Sequence, residues 1–337
     1  MSGSAEIVRA DALALPLADA SVDLVVTSPP YFGLRSYQDD GKHYDGQIGD
    51  EATPAEFVDA LIAATREMVR VLKPHRSIWV NLGDRYNAYN GNRGAGQIQD
   101  NGPRPTLPTG SGLDVKGIRP KSLIGVPWRY AIRCIDDLGL ILRAEVIWSK
   151  PNGLPERVTD RVRRSHETWF HFTKSPRYFS AVDEIREAYL APTATRTFGK
   201  VDPSRGDHGQ PTARKDAVDV MNPLGKLPGS VWTIATQPLI VPEELGIDHF
   251  AAFPMEWPRR IIRGWSPECG TVLDPFGGTG TTATVAKALG RHGISVDLSA
   301  DYCRLAEWRT NDPGELAKAA ELPKPKPVPD GQEVLFP

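Results

Sequence analysis

Residues 274–282 decide the fold, and they read Asp274-Pro275-Phe276-Gly277-Gly278-Thr279-Gly280-Thr281-Thr282. An apolar strand, residues 271–273, runs into this glycine turn, and an alanine-containing helical stretch, residues 281–289, follows it. Glycines let a backbone turn tightly and approach a ligand with no Cβ in the way. A strand, a glycine turn and a helix in this order predict a cofactor-binding unit of an α/β sheet.

A second strand, residues 293–297, ends in Asp297, about where an acid accepts hydrogen bonds from ribose hydroxyls. The glycine turn departs from the G-x-G-x-x-G pattern of dinucleotide sites, and Asp274 at its start would repel a phosphate. An acid there suits an amine-bearing ligand, such as the methionine end of S-adenosylmethionine. A nicotinamide-dependent oxidoreductase stays an alternative, because it also uses a glycine turn and a following acid.

Strands and helices alternate along most of the chain. Further strands are expected at 6–11, 22–27, 77–82, 140–148 and 167–173, and helices at 53–72, 128–138, 257–265 and 300–310. Thr53 and Glu56 form a capping box for the first helix, with Pro54 at its first position. This alternation predicts a mostly parallel, doubly wound sheet covered on both faces.

The alternation breaks in three places. Residues 85–121 are rich in Gly, Asn and Pro and predict a loop insertion, and residues 181–247 have weak periodicity and predict an irregular insertion. The tail, residues 313–337, is expected to be flexible. We therefore divide the α/β domain into a first half, residues 1–180, and a second half, residues 248–312.

A second site signal, Thr27-Ser28-Pro29-Pro30-Tyr31, directly follows the apolar strand 22–27 and is called the proline turn below. Its prolines lack N–H groups and hold the chain extended, so carbonyls point outward as acceptors. The Ser28 hydroxyl and the Pro29 carbonyl can accept both hydrogens of an –NH2 group, while Tyr31 stacks on its ring. A Pro-Pro pair can also simply end a strand. At the carboxyl edge of a parallel sheet, where such folds place their sites, a binding role is favoured.

Composition limits the function classes. With 40 basic and 42 acidic residues the net charge is −2, which gives no global support for nucleic-acid binding. Basic residues cluster locally at Lys150, Arg157, Arg161, Arg163 and Arg164, as either a strip that contacts phosphates or a solvated face.

The 3 cysteines and 7 histidines are scattered, so neither a disulfide framework nor a metal site is expected. No apolar run approaches the ~20 residues of a membrane span, and residues 1–9 have no signal-peptide core. A cytoplasmic protein without a membrane partner is the expectation.

The proline turn and the glycine turn together resemble the catalytic and cofactor motifs of the amino-methylating DNA methyltransferases. Because the catalytic motif comes first, the chain is similar to the permuted β group of that family. Asn81-Leu82-Gly83-Asp84 and Trp148-Ser149-Lys150-Pro151-Asn152 resemble further stretches that recur in it.

The resemblance implies a Rossmann-like S-adenosylmethionine-dependent methyltransferase fold, with residues 181–247 as the target-recognition region. It implies catalytic roles for Ser28, Pro29, Pro30 and Tyr31. It implies cofactor contacts from Asp11 (to the adenine), Thr27, Phe253, Asp274, Phe276, Gly278, Gly280, Thr281 and Asp297. Double-stranded DNA is the expected partner, while a homodimer and a cognate restriction endonuclease are left open.

The choice of base follows from what the sequence lacks. No Pro-Cys pair and no cysteine near Tyr31 is present, so carbon-5 methylation of cytosine through a thiolate is disfavoured. Direct in-line transfer to the exocyclic amine of a flipped base is expected instead. Within the family, Ser28 in place of Asp favours cytosine N4, and adenine N6 is the alternative.

Overall fold

The computed structural model describes residues 3–33, 38–39, 42–43, 47–87, 115, 117–153, 156, 158–189, 222–247 and 252–321. Its strands are β1 (Ser4–Arg9), β2 (Val22–Thr27), β3 (Gln38–Asp39), β4 (Lys42–His43), β5 (Leu72–Leu82), β6 (Ile141–Ser149), β7 (His166–Thr173), β8 (Val231–Thr233), β9 (Thr271–Asp274) and β10 (His292–Asp297). Its helices are α1 (Pro54–Val71), α2 (Val126–Asp136), α3 (Glu256–Trp265), α4 (Thr281–Ala288), α5 (Ala300–Asn311) and α6 (Pro313–Ala320).

Eight strands form one sheet in the order β1-β10-β9-β2-β5-β7-β6-β8. The first five run parallel to one another, β7 is antiparallel to both β5 and β6, and β8 pairs parallel to β6. The expected mostly parallel sheet is therefore confirmed. The carboxyl ends of β1, β2, β5, β9 and β10 meet at one edge of this sheet.

Helices cover both faces of the sheet. Since side chains alternate along a strand, each buried strand contributes residues to both cores. On β2, Val25 belongs to the core that includes α1 and α2, whereas Leu24 and Val26 belong to the core that includes α3, α4 and α6. All six residues of β2 are buried. The predicted capping box of α1 is present, since Thr53 accepts from the Glu56 amide at 3.2 Å and Glu56 accepts from the Thr53 amide at 2.9 Å.

Tryptophans dominate the second core. Six of the 8 tryptophans of the chain are buried there: Trp79, Trp148, Trp169, Trp232, Trp257 and Trp265. The Trp257 ring stacks between Trp169 and Trp232, at centroid distances of 4.9 and 4.8 Å. These large rings join the sheet to α3 through apolar area and offset stacking.

The irregular insertion differs from its prediction in part. Residues 231–233 form β8, and Trp232 is part of the tryptophan core. The Asn152 amide fixes the following segment by accepting from the Thr236 amide and donating to its carbonyl, at 2.9 and 3.0 Å. The strand is only three residues long, too short for periodicity to reveal it. Residues 190–221 lie outside the described residues, as do 88–114 and 116 of the expected loop insertion.

The expected flexible tail is wrong over residues 313–320, which form α6. Asp312 caps this helix by accepting from the Glu315 amide at 2.8 Å, and Pro313 occupies the first helical position. An Asp-Pro pair at a helix start is a recognised signal, and it was available in the sequence. Residues 322–337 lie outside the described residues.

In the part of the chain that the structure describes, no helix is long and apolar enough to span a membrane. The same residues contain no group of three or more His, Cys, Asp or Glu side chains placed to hold a metal ion.

Candidate active site

A cavity opens at the carboxyl edge of the sheet, between the ends of β1, β9 and β10 and the end of β2. Eight of the site residues expected from sequence line it: Asp11, Ser28, Pro30, Phe253, Phe276, Gly278, Thr281 and Asp297. Leu13, Gln47, Ile48 and Tyr302 also line it and had no sequence signal. One cavity thus contains parts of both the proline turn and the glycine turn.

The glycine turn is held in shape by backbone contacts. Asp297 accepts from the amides of Gly278 and Ser299, each at 2.9 Å. Gly278 has φ +49°, in the left-handed region that favours glycine. At Gly277 a Cβ would lie 1.8 Å from the Ser295 hydroxyl oxygen, so β10 can pass close only because this residue has no side chain.

Gly280 has a packing role that the sequence did not indicate. A Cβ there would lie 2.7 Å from the Ala306 Cβ, so this glycine lets α5 approach the turn. Gly280 does not line the cavity, and its expected cofactor contact stays a prediction.

Arg309 on α5 supports the glycine turn from beneath. One guanidinium nitrogen donates to the Thr279 carbonyl at 3.2 Å and to the hydroxyls of Thr279 and Thr281, each at 2.8 Å. Another nitrogen pairs with Glu315 on α6 at 2.9 Å, and both side chains are at most 5% exposed. Burial lowers the pKa of Arg309, and the Glu315 carboxylate offsets this effect. No sequence pattern indicated that a buried ion pair supports this turn.

Asp274 and Thr27 are buried beneath the cavity, and their expected cofactor contacts stay predictions. Asp274 is 1% exposed and accepts from the Thr27 hydroxyl at 2.6 Å, the Thr282 hydroxyl at 2.9 Å and the Phe276 amide at 3.1 Å. Burial raises the pKa of Asp274 to about 6, although the Thr27 and Thr282 hydrogen bonds lower it. With its oxygens used internally, Asp274 joins the start of the glycine turn to the start of the proline turn.

Polar side chains from two other strands, β5 and β7, contact the proline turn. The Tyr31 hydroxyl donates to Glu167 at 2.8 Å, and its ring packs against Gly83, where a Cβ would lie 2.6 Å from a ring carbon. Asn81 is 1% exposed, and its amide oxygen faces the Trp169 indole N–H at 3.2 Å. This orientation follows from the hydrogen-bond network, because the nitrogen then meets only acceptors.

Three acceptors surround that Asn81 nitrogen. They are the Tyr31 hydroxyl at 2.6 Å, a Glu167 carboxylate oxygen at 3.1 Å and the Ser28 hydroxyl at 3.3 Å. Pro29 is buried beside them, and Pro30 faces the cavity. The stretch 81–84 carried a sequence signal without a stated role, whereas Glu167 carried none.

The basic residues expected to contact DNA differ in their surroundings. Lys150 forms an ion pair with Glu167, and Arg161 pairs with Glu156 at 2.6 Å while its guanidinium lies 3.7 Å from the Tyr86 ring centroid. Arg164 lies 3.6 Å from Asp84 and is 15% exposed.

The other two basic residues are Arg163 and Arg157. Arg163 is exposed and donates to the Gly153 carbonyl at 3.4 Å, and Arg157 lies outside the described residues. Arg163 is therefore the member of the described set best placed to contact a phosphate.

An eight-stranded sheet, a glycine turn closed by Asp297 and a proline turn in the same cavity define the class of Rossmann-like methyltransferases. Residues 22–308 match the model of the N6/N4 DNA methylase family, described as DNA methylase. The chain belongs to this family of DNA methyltransferases. The expected amino-methylating DNA methyltransferase is thereby confirmed.

Relatives of similar length support this assignment. The Type II methyltransferase M.XycI of Xanthomonas campestris pv. cyanopsidis is 35% identical over 293 residues, 87% of this chain and 82% of that protein. The Type II methyltransferase M.Cfr9I of Citrobacter freundii is 34% identical over 310 residues, 90% of this chain and 86% of that protein.

Solved structures confirm the fold. The PvuII DNA methyltransferase, described as cytosine-N4-specific, superimposes with a TM-score of 0.62 at 21% identity, covering 95% of this chain and 92% of that chain. A putative DNA modification methylase from Thermus thermophilus, solved with S-adenosyl-L-methionine, gives a TM-score of 0.50 at 22% identity, covering 94% and 96%. The expected methyltransferase fold is therefore confirmed.

Proposed function

We propose that this DNA methyltransferase transfers a methyl group from S-adenosylmethionine to the exocyclic N4 of a flipped cytosine in double-stranded DNA. One observation carries the proposal: Ser28 and Pro30 of the proline turn share a cavity with Gly278 and Asp297. An acceptor for an amine and a nucleoside-binding turn are then adjacent. The cytosine-N4 description of the structurally similar PvuII enzyme supports this choice of base.

The residues of the cavity fit this cofactor. Asp297 closes the glycine turn with its carboxylate, which accepts from the Gly278 and Ser299 amides, and a carboxylate at this place is the group that accepts hydrogen bonds from ribose hydroxyls. Asp11 accepts from the Leu13 amide with one oxygen at 2.8 Å and can accept the adenine amine with the other. Phe276 and Phe253 offer apolar faces in the same wall. When bound, the cofactor supplies an electrophilic methyl group on its sulfonium.

The chain supplies orientation and charge stabilisation for the amine. We assign the Ser28 hydroxyl and the Pro29 carbonyl to accept its two hydrogens, which holds the nitrogen toward tetrahedral geometry. These acceptors stabilise the positive charge that grows as the N–C bond forms and the S–C bond breaks, after which one proton leaves to water. Tyr31 replaces the stacking that the base loses on flipping. Holding both reactants in line provides much of the remaining acceleration.

The proposed DNA contacts come from the basic cluster and from the irregular insertion. Arg163, with Arg157, is assigned to phosphate contacts, and the insertion 181–247 to recognition of the target sequence. Because its relatives carry the Type II name, we place the protein in a cytoplasmic restriction–modification system beside an endonuclease of the same target.

Nucleoside analysis tests the proposal. DNA from cells that express the protein is digested to nucleosides and examined by mass spectrometry, with the Ser28→Ala variant as the matched control. N4-methylcytosine that is absent in the control is the expected result. N6-methyladenine would replace the assigned base by the alternative, and 5-methylcytosine or no new nucleoside would overturn the proposal.

A further inference from the structure

Glu167 occupies a place at the active edge that the proposed chemistry does not use. It is the second residue of β7 and pairs in register with Trp148 on β6, next to the end of β5. Its side chain is 18% exposed and forms an ion pair with Lys150, whose ammonium lies 4.1 Å from the Trp148 ring centroid. A largely buried carboxylate therefore sits beside the proline turn, with its charge compensated by one lysine.

The carboxylate is connected to Ser28 through two side chains. Glu167 accepts from the Tyr31 hydroxyl at 2.8 Å and lies 3.1 Å from the Asn81 amide nitrogen. That nitrogen also lies 2.6 Å from the Tyr31 hydroxyl and 3.3 Å from the Ser28 hydroxyl. Lys150, Glu167, Tyr31, Asn81 and Ser28 thus form one continuous polar network.

The charge of Glu167 sets the direction of hydrogen bonding in this network. An ionised carboxylate only accepts, so the Tyr31 hydroxyl must donate its one hydrogen to Glu167 and can act only as an acceptor toward Asn81. Asn81 must then present its nitrogen, and not its oxygen, toward Ser28. Ser28 keeps a lone pair for an incoming amine hydrogen. The Tyr31 side chain is held at its hydroxyl by Glu167 and along one edge of its ring by Gly83.

We propose that Glu167, with Lys150 as its counter-ion, is a positioning residue that fixes the Tyr31 ring and the Asn81 amide for methyl transfer. The inference rests on the proposed function, since it gives these groups a base to receive. It also moves Lys150 from the expected phosphate contact into the active-site network. Lys150 compensates the charge of the carboxylate and holds it in place through the ion pair.

Glu167→Gln and Tyr31→Phe test the proposal from both ends of one hydrogen bond. Gln keeps the shape but brings a donor against the Asn81 nitrogen, and Phe keeps the ring but removes the donor. Each should lower the single-turnover methyl-transfer rate at saturating DNA and cofactor by about 10 to 100-fold, the range expected when a reacting group is misplaced. The double variant should be no slower than the slower single variant, because both changes break the same contact.

Two further measurements separate positioning from a structural role. Cofactor affinity by calorimetry and the thermal midpoint should stay at wild-type values in both variants. Glu145→Gln, an exposed Glu→Gln change on β6, is the matched control and should leave the rate unchanged. If Glu167→Gln lowers the thermal midpoint, Tyr31→Phe alone decides, because it removes the hydrogen bond and leaves the ion pair.

Three outcomes would overturn the inference. They are a wild-type rate in either variant, multiplied losses in the double variant, and a rate loss matched by an equal loss of cofactor affinity. Methylated nucleosides from the wild-type protein keep this failure distinct from failure of the proposed function. With wild-type methylation intact, a silent Glu167→Gln rejects only the positioning role.

Discussion

The glycine turn and the proline turn lie at the same edge of the sheet, yet they are held in place in opposite ways. The glycine turn is fixed by residues that follow closely, with Gly278 and Asp297 19 residues apart and Thr279 and Arg309 30 residues apart. The Tyr31 hydroxyl of the proline turn contacts Asn81 and Glu167, 50 and 136 residues away. The contacts of the glycine turn come from residues near it in sequence. Those of the Tyr31 hydroxyl exist only because the order of strands in the sheet brings distant residues together.

The largest effect we expect comes from the support of the glycine turn. Arg309→Met removes the buried partner of Glu315 and leaves that carboxylate paired with the exposed Lys318, which should lower the free energy of unfolding by about 3 kcal/mol. Denaturation in urea measures this loss. Arg304→Met on the same helix, where the arginine is 61% exposed, should cost less than about 1 kcal/mol. Equal losses in both variants would show that the buried pair has no special role in holding the turn.

Replacing both partners sharpens this test. Arg309→Met with Glu315→Leu also removes the carboxylate that has lost its buried partner and should recover most of the stability. Cofactor affinity should be below that of the wild type in Arg309→Met and in the double variant alike, because both lack the Arg309 guanidinium that donates to Thr279 and Thr281. If stability and cofactor affinity both recovered in the double variant, Arg309 would have no role in supporting the glycine turn.

Ser28→Ala should affect only the proline turn. In the proposed mechanism Ser28 accepts from the reacting amine, so its loss should slow single-turnover methyl transfer by ~10²–10³-fold. Calorimetric cofactor affinity should be unchanged, since the glycine turn is intact. Ser21→Ala, which removes an exposed hydroxyl just before β2, is the matched control. Wild-type transfer by Ser28→Ala would remove the proline turn from the chemistry.

Asp274 tests the contact between the two turns through pH. Its folded pKa of about 6 lies above the ordinary value of about 3.9, so the native state binds the proton more tightly than the unfolded chain. The stabilisation from this group is complete below about pH 4 and is lost as pH rises through 6, at most about 3 kcal/mol.

Asp274→Asn cannot titrate, so it isolates this effect from other groups. Between about pH 4 and 7 the wild-type free energy of unfolding should fall relative to that of the variant. Urea denaturation at a series of pH values measures the difference. Parallel curves would mean that burial does not raise the pKa of Asp274.

Asp297→Ala should weaken cofactor binding by about 1–3 kcal/mol, through the loss of charge-assisted bonds to the ribose. Calorimetric titration measures the affinity. Asp301→Ala in the first turn of α5 serves as the control, because its carboxylate pairs with Arg304 and does not line the cavity. An unchanged affinity in Asp297→Ala would place the ribose elsewhere.

The smallest expected effect concerns the basic cluster. Arg163→Ala should reduce the slope of log binding constant against log salt by about 1 when DNA binding is measured. Arg161→Ala should change the slope less, because Arg161 is already paired with Glu156. Equal slopes in wild type and Arg163→Ala would make Arg163 part of a solvated face.

This contrast also explains what the sequence could predict. The bounds of β2 match the expected strand, and β9 extends the expected strand 271–273 by one residue, because short, largely apolar runs between turns leave little choice of structure. Asp297 was found because its partner glycine is near in sequence. Glu167 was not predicted to be part of the site. A charged residue at a strand end gives the same sequence pattern whether it is solvated or bonded to a tyrosine 136 residues away.

Asp274 shows the limit of reading a motif residue by residue. An acid that ends a strand can face a ligand or can bind hydroxyls within the fold, and both arrangements fit the same letters. Burial decides between them, and burial depends on Thr27, which lies 247 residues away in sequence.

The position of β2 has a consequence for synthesis of the chain. β2 lies between β9 and β5 in the sheet, and its contact with β9 spans the 247 residues between Thr27 and Asp274. At ribosomal rates of about 5–20 residues per second, β2 waits on the order of tens of seconds for that neighbour. Until β9 is made, the edge of β2 that will pair with it stays unpaired, and an unpaired apolar strand edge promotes aggregation of the nascent chain. A truncated product that stops before β9 carries Ser28 and Tyr31 but no glycine turn, so the ability to modify DNA arrives only with the last part of the domain.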